Sequence, residues 1–261
     1  MKQNVKVVIL CGGRGTRMRE ETEYRPKPLI EVGGRPILWH IMRTYAHYGF
    51  HDFILCLGYR GRAIKEYFLN YEIMTGDFTL HLNDGQTELH KRSTEGDWVV
   101  TFAETGDAAQ TGSRVKQIEN YIGEDLFMLT YGDGVADIDI NKLIAFHRSH
   151  GKIGTVTGVH PASRFGELAV KGTMVKEFGE KPQVTEGFIN GGYFVFSREI
   201  FRYLRADDDC YLEREPLENL TRDGELAVFC HEGFWQCMDT QRELEILNGM
   251  WSSGKAPWRV G

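Results

Sequence analysis

The sequence predicts an α/β domain with a mixed central sheet flanked by helices and a β-rich portion in its later half. Short β-branched runs alternate with helical periodicity over residues 5–159, the pattern of strands joined by crossover helices. Two of those runs stop at glycine clusters, Gly12-Gly13-x-Gly15 and Gly132-Asp133-Gly134, as strands do when they deliver loops to one edge of a sheet. From residue 153 to Phe196, Gly and Pro punctuate short strand-like segments.

Each element follows from its residues. Residues 5–10 are an apolar run ending at two glycines, a central strand entering a tight loop. Proline near the first turn opens a helix over 36–42, and apolar residues recur at helical spacing until Gly49. Residues 52–57 supply a second strand and complete a strand, helix, strand unit. A helix spans 63–71. Residues 78–104 are strand-like, with alternation over 78–82 and a turn at Asn83-Asp84-Gly85 that suits a hairpin insertion. A helix over 113–122 precedes a buried strand over 126–131, and a helix over 141–150 is closed by Gly151 before a strand over 153–159. The C-terminal part returns to helix. With no repeat, low-complexity tract or linker, residues 1–261 read as one domain on a Rossmann-like sheet.

Composition narrows the function. At 41% hydrophobic and 26% charged, the chain can bury a large core. A net charge of −6 with scattered Lys and Arg argues against nucleic acid or a membrane surface as partner, so an anionic substrate must be held locally. The apolar run at 5–10 is too short for a secretory segment, and no stretch approaches the ~20 residues of a membrane span, so a cytoplasmic protein is expected. The five cysteines are widely spaced with no C-x-x-C pair, which points to free, mostly buried thiols.

The loop Leu10-Cys11-Gly12-Gly13-Arg14-Gly15-Thr16-Arg17 follows a buried strand, where absent side chains let backbone N–H groups approach phosphate oxygens. Glycines alone suit a turn equally well; Arg14 and Arg17 favour an anion. Met18 stands where a dinucleotide fingerprint needs its third glycine, and no Gly-Lys-Ser/Thr closes a P-loop. Downstream, Pro26 and Pro28 bracket Lys27 and restrict where its ammonium can go.

These motifs, Gly-Gly-x-Gly-Thr-Arg at 12–17 with Pro26-Lys27-Pro28, resemble the signature of the sugar-1-phosphate nucleotidylyltransferases. Residues 27–34, 131–137 and 234–240 are similar to the branch that joins CTP to glucose 1-phosphate. The resemblance implies a triphosphate and a sugar phosphate as substrates, Mg²⁺ as cofactor and a homo-oligomer. It also implies a nucleotide-binding part over about 1–150 and a sugar-phosphate-binding part over about 151–261, with Arg17, Lys27 and Asp133 as the catalytic residues.

Asp133 lies at a strand end between glycines, and Asp239 lies far along the chain; either can simply cap a turn. Beside a phosphate loop, however, two carboxylates are enough for Mg²⁺, which takes one or two plus phosphate oxygens and waters. The resemblance implies the same pair, although Thr240-Gln241 stands where many relatives have Gly-Thr. It further places Gly132 and the segment 105–114 at the nucleotide, with Thr111 or Arg114 donating to cytosine N3 and O2. On the sugar side it places Lys181 at the phosphate, and Glu180, Asn190, Gly191 and Trp235 around the hexose, with Arg164 nearby. Hairpin turns explain these last motifs almost as well, and Trp235 can equally be core. His147 and His150 have a spacing that can bind metal, but lie where a helix C-terminus favours them.

Overall fold

The computed structural model describes residues 5–13, 15–90, 95–123, 125–161, 167–171, 174–179 and 187–260. The central sheet has seven strands, numbered here in chain order: β1 (Val7–Leu10), β2 (Asp52–Leu57), β3 (Val99–Glu104), β4 (Leu126–Tyr131), β5 (Gly154–Val159), β6 (Ile189–Ser197) and β7 (Leu226–His231). Their spatial order is β7-β5-β6-β4-β1-β2-β3. All pairings are parallel except those of β6, which runs antiparallel to both β4 and β5. The expected mixed sheet flanked by helices is therefore present.

The apolar run at 7–10 marks a strand buried on both faces, as a central parallel strand must be. Val7 and Ile9 join the core beneath the helix Ile37–His47, while Val8 and Leu10 join a second core with Phe127, Phe194 and Val115. Helix Ile37–His47 buries Ile37, Leu38, Ile41, Met42 and Tyr45 at helical spacing and stops before Gly49.

Three expectations shift. The helix expected over 63–71 is two, Gly61–Leu69 and Tyr71–Thr75. Only Phe78–Leu80 and Thr87–Leu89 form the hairpin; Val99–Glu104 instead joins the central sheet beside β2, where its half-buried face packs. The helix expected over 113–122 starts earlier, as Thr111–Gln117, and ends in a separate 3-10 turn.

His40 illustrates what burial does to a titratable group. It is 3% exposed, edge-on to Trp251 at 4.6 Å, and its Nε2–H donates to the Val32 carbonyl at 2.8 Å. Burial pushes its pKa down from 6.5 to about 4. Between those values the unfolded chain takes up a proton that the folded ring refuses, so stability falls with the pH across that window, by about 3 kcal/mol in full. The thermal midpoint will drop from pH 6.5 to 4, and His40→Gln will make the drop shallower. Equal slopes for the two proteins would overturn the assignment.

His147 and His150 both turn a ring nitrogen to the Thr155 hydroxyl, at 2.9 and 2.7 Å. Burial lowers both pKa values, His147 to about 4, and both rings are held by the Thr155 hydroxyl. Among the described residues no helix is long and apolar enough to cross a membrane.

Candidate active site

Parallel register brings the C-terminal ends of β1, β2 and β4 level, with Leu10 paired to both Cys56 and Tyr131. Because β6 is antiparallel, its N-terminal residues Asn190, Gly191 and Gly192 reach the same edge, where Tyr193 pairs with Thr130. A cleft of about 730 Å³ opens there. Its wall includes Leu10–Gly13, Gly15, Arg17 and Lys27, the segment 107–111, Arg114, Gly132 and Asp133, Asn190 and Gly191, Trp235 and Asp239. Most sequence-predicted residues thus converge. Arg14, Arg164, Glu180 and Lys181 lie outside the described residues; Thr16 begins a 3-10 turn, Thr16–Met18.

Lys27 is placed by its prolines. Pro26 is extended, Pro28 is buried against Gly132, and the turn Lys27–Leu29 closes with Ile30 N–H donating to the Lys27 carbonyl at 3.0 Å. Lys27 Nζ donates to Asp133 Oδ2 at 2.6 Å and also to Asp239 Oδ1, while Arg17 Nη1 donates to Asp239 Oδ2 at 3.0 Å. Burial opposes the Lys27 charge, but Asp133 and then Asp239 outweigh it and raise its pKa. Burial likewise acts against the Asp239 carboxylate, yet Lys27 and Arg17 hold it below its ordinary value.

Asp239 reaches Asp133 through a two-stranded ladder invisible in the sequence pattern. Gly134–Ala136 pairs antiparallel with Trp235–Cys237, and Met238 N–H donates to the Asp133 carbonyl at 2.8 Å. The helix Gln241–Ser252 then begins with a capping box of Thr240 and Glu243, whose carboxylate also accepts from the Asp239 N–H at 2.7 Å. The Thr240-Gln241 departure thus lies in a helix start.

The donor set fits a magnesium ion. Two carboxylates converge on one point, and a cation, the Lys27 ammonium, is held there. No group of three or more His, Cys, Asp or Glu suited to metal occurs among the described residues.

Arg114 is 4% exposed and is held by backbone. Its Nη1 donates to the Leu57 carbonyl at 2.9 Å and to Thr105 Oγ1 at 2.7 Å, and its Nη2 donates to the Gly12 carbonyl at 3.1 Å. A Cβ on Gly12 would stand 2.1 Å from the guanidinium carbon, so any side chain there would displace the arginine from this position. A Cβ on Gly13 would meet nothing within 4 Å. Thr111 Oγ1 donates to Glu213 Oε2 at 2.6 Å, Asn190 Oδ1 accepts from Gly192 N–H at 2.8 Å, Trp235 Nε1–H donates to the Gly191 carbonyl at 2.7 Å, and Trp235 is part of the cleft wall. Burial, then Cys56, pushes the Cys11 thiol well up, and burial raises Cys56 to about 12, so neither serves as a thiolate.

Sequence reasoning missed Tyr131 and Glu213. Tyr131 Oη donates to Glu213 Oε1 at 2.5 Å, and burial, then that carboxylate, raises the phenol well above its ordinary value. Glu213 sits in a charged stretch that reads as ordinary solvated surface, so no local signal marks it.

The profile of the nucleotidyl transferase family matches residues 6–240. The chain is 47% identical to glucose-1-phosphate cytidylyltransferase of Salmonella typhimurium, covering 98% of this chain and 99% of that one, and shows the same identity and coverage with the enzyme of Salmonella typhi. Among solved structures it is similar to UDP-glucose pyrophosphorylase complexed with UDP-glucose, at a TM-score of 0.69 and 14% identity over 97% of this chain and 100% of that one. It is also similar to the inositol-1-phosphate CTP transferase from T. maritima, at 0.66 and 16% over the full length of both.

Proposed function

Since the chain belongs to the nucleotidyl transferase family, we propose that it transfers the cytidylyl group of CTP to α-D-glucose 1-phosphate, giving CDP-glucose and pyrophosphate. The observation that carries the chemistry is the convergence of Lys27, Asp133 and Asp239 beside the glycine-rich loop, where two anionic substrates must meet. The choice of CTP and glucose 1-phosphate rests on the near full-length likeness to relatives of that name.

A sugar-phosphate oxygen attacks the α-phosphorus in line. One P–O bond forms as the bond to the α,β-bridging oxygen breaks, and its electron pair leaves with pyrophosphate. The nucleophile is already an anion, so no general base is needed, and catalysis rests on alignment and charge neutralisation. Loop backbone around Gly13 cradles the phosphates, Arg17 and Lys27 supply cationic charge, and Asp133 and Asp239 hold the metal. Mg²⁺, when bound, neutralises phosphate oxygens as charge builds in the transition state. The segment 107–111 faces the base, and Asn190, Gly191 and Trp235 the hexose; Arg164, Glu180 and Lys181 are assigned to the sugar phosphate by the family resemblance alone and lie outside the described residues. A homo-oligomer acting in the cytoplasm belongs to the same reading.

The panel CTP, UTP, dTTP, ATP and GTP, each with glucose 1-phosphate, tests it by pyrophosphate release. CTP should exceed the others by at least about a hundredfold, the discrimination expected when a site hydrogen-bonds polar base edges. Equal use of UTP would defeat the CTP assignment and leave a uridylyl transferase of the same fold.

A further inference from the structure

Glu213 belongs to none of the motifs above, yet it touches both sides of the cleft. We propose that Glu213 is a positioning residue whose carboxylate, acting through Thr111 and Tyr131, holds the base-side segment and the sugar-side strand at a fixed spacing. The inference rests on reading the cleft as a nucleotide and sugar-phosphate site.

One carboxylate oxygen accepts from Thr111 Oγ1 at 2.6 Å and the other from Tyr131 Oη at 2.5 Å. Tyr131 Oη in turn accepts from Asn190 Nδ2 at 3.3 Å, which carries the connection onto β6. The tyrosine ring is itself fixed against that strand: a Cβ on Gly192, whose φ is +79°, would lie 2.5 Å from Tyr131 Cδ2. On the other side, the chain carrying Glu213 is strapped to the start of helix Thr111–Gln117. Gln110 N–H donates to the Asp208 carbonyl and Ser113 N–H to the Cys210 carbonyl, both at 3.0 Å, and Leu212 N–H donates to Thr111 Oγ1 at 2.9 Å. Helix start, strap and sheet strand therefore share one anchor.

The chemistry explains why that anchor is a carboxylate. Both partners are hydroxyl donors, and a carboxylate offers an acceptor oxygen to each, whereas an amide offers one acceptor and one donor. Charge-assisted hydrogen bonds are short and orienting, and a network of them locks rotamers more firmly than its separate pairs. The two substrates bind on either side of that anchor, so its loss weakens the binding of each in ground and transition state alike, which raises KM and largely spares kcat.

The test uses the triphosphate and sugar phosphate that the wild-type protein turns over best in the panel above. Glu213→Ala will raise KM for both substrates by about tenfold while kcat falls by less than about threefold and the unfolding temperature barely moves. Glu213→Gln, which keeps one acceptor, will recover most of the loss, leaving each KM about threefold above wild type. Tyr131→Phe will raise KM for the sugar phosphate alone, and adding Glu213→Ala to it will leave that KM no higher than in Glu213→Ala by itself. KM values within about twofold of wild type in Glu213→Ala, a rise confined to one substrate, or multiplying effects in the double variant would each overturn the proposal. Should the alanine variant fail to fold, the glutamine variant decides: unchanged KM values for both substrates overturn the proposal, and parallel rises support it. A wild-type protein inactive on every pair overturns the reading of the cleft itself, and with it this inference.

Discussion

Asp133→Asn will lose about a thousandfold in kcat while unfolding within about 2 °C of wild type. On the proposed reading an anionic metal ligand becomes a neutral amide, and metal stabilisation of a phosphoryl transition state is worth several kcal/mol, each 1.4 kcal/mol being tenfold. Stability is spared for two reasons. The structural contact at this position is the backbone carbonyl that accepts from Met238 N–H, which the substitution leaves in place. In addition, Lys27 has two carboxylate partners, so removing one still leaves its buried charge paired with Asp239. Pyrophosphate release and calorimetry on the same preparation check both halves. Full turnover in the variant would sink the metal assignment.

Arg114→Ala will behave in the opposite way, destabilising the protein by about 3 to 5 kcal/mol and lowering its unfolding temperature by about 10 °C. Its guanidinium fills the gap between Gly12 and Gly58 and satisfies the Gly12 and Leu57 carbonyls and the Thr105 hydroxyl. Deleting it strips three buried acceptors of a charged donor and leaves a void beneath the glycine-rich loop. Nucleotide KM should rise because the loop loses its brace. The sequence-based expectation, a base-reading arginine, predicts a different result: relaxed choice among triphosphates with stability kept. Denaturation and the triphosphate panel, run on the one variant, separate the two roles.

Part of the site was legible because its parts are local. The loop from Leu10 to Arg17 follows a buried strand by a few residues, and Pro26 and Pro28 act on Lys27 directly, so residue type and spacing carry the information. Asp133 was legible for the same reason, standing between glycines at the end of an apolar run. Glu213 and Tyr131 were not. A glutamate in a charged stretch and a tyrosine closing a strand are ordinary until the fold sets them 2.5 Å apart.

By itself the sequence determined the alternation of strands and helices, the glycine-rich loop that follows the first strand, the pinned lysine and the class of transferase to which they belong. Backbone preference and hydrophobic period act over a few residues, and those features need no more. Only the tertiary structure decided that β6 runs against its neighbours and so brings Asn190 to the edge where Asp133 stands. It also decided that the ladder between Gly134–Ala136 and Trp235–Cys237 sets Asp239 beside Asp133, and that Arg114 turns inward to the backbone. Lys27 and Asp239 are 212 residues apart in the chain. Contacts of that span are chosen by how whole elements pack, because burial and hydrogen bonding are satisfied over the entire fold rather than within any one segment.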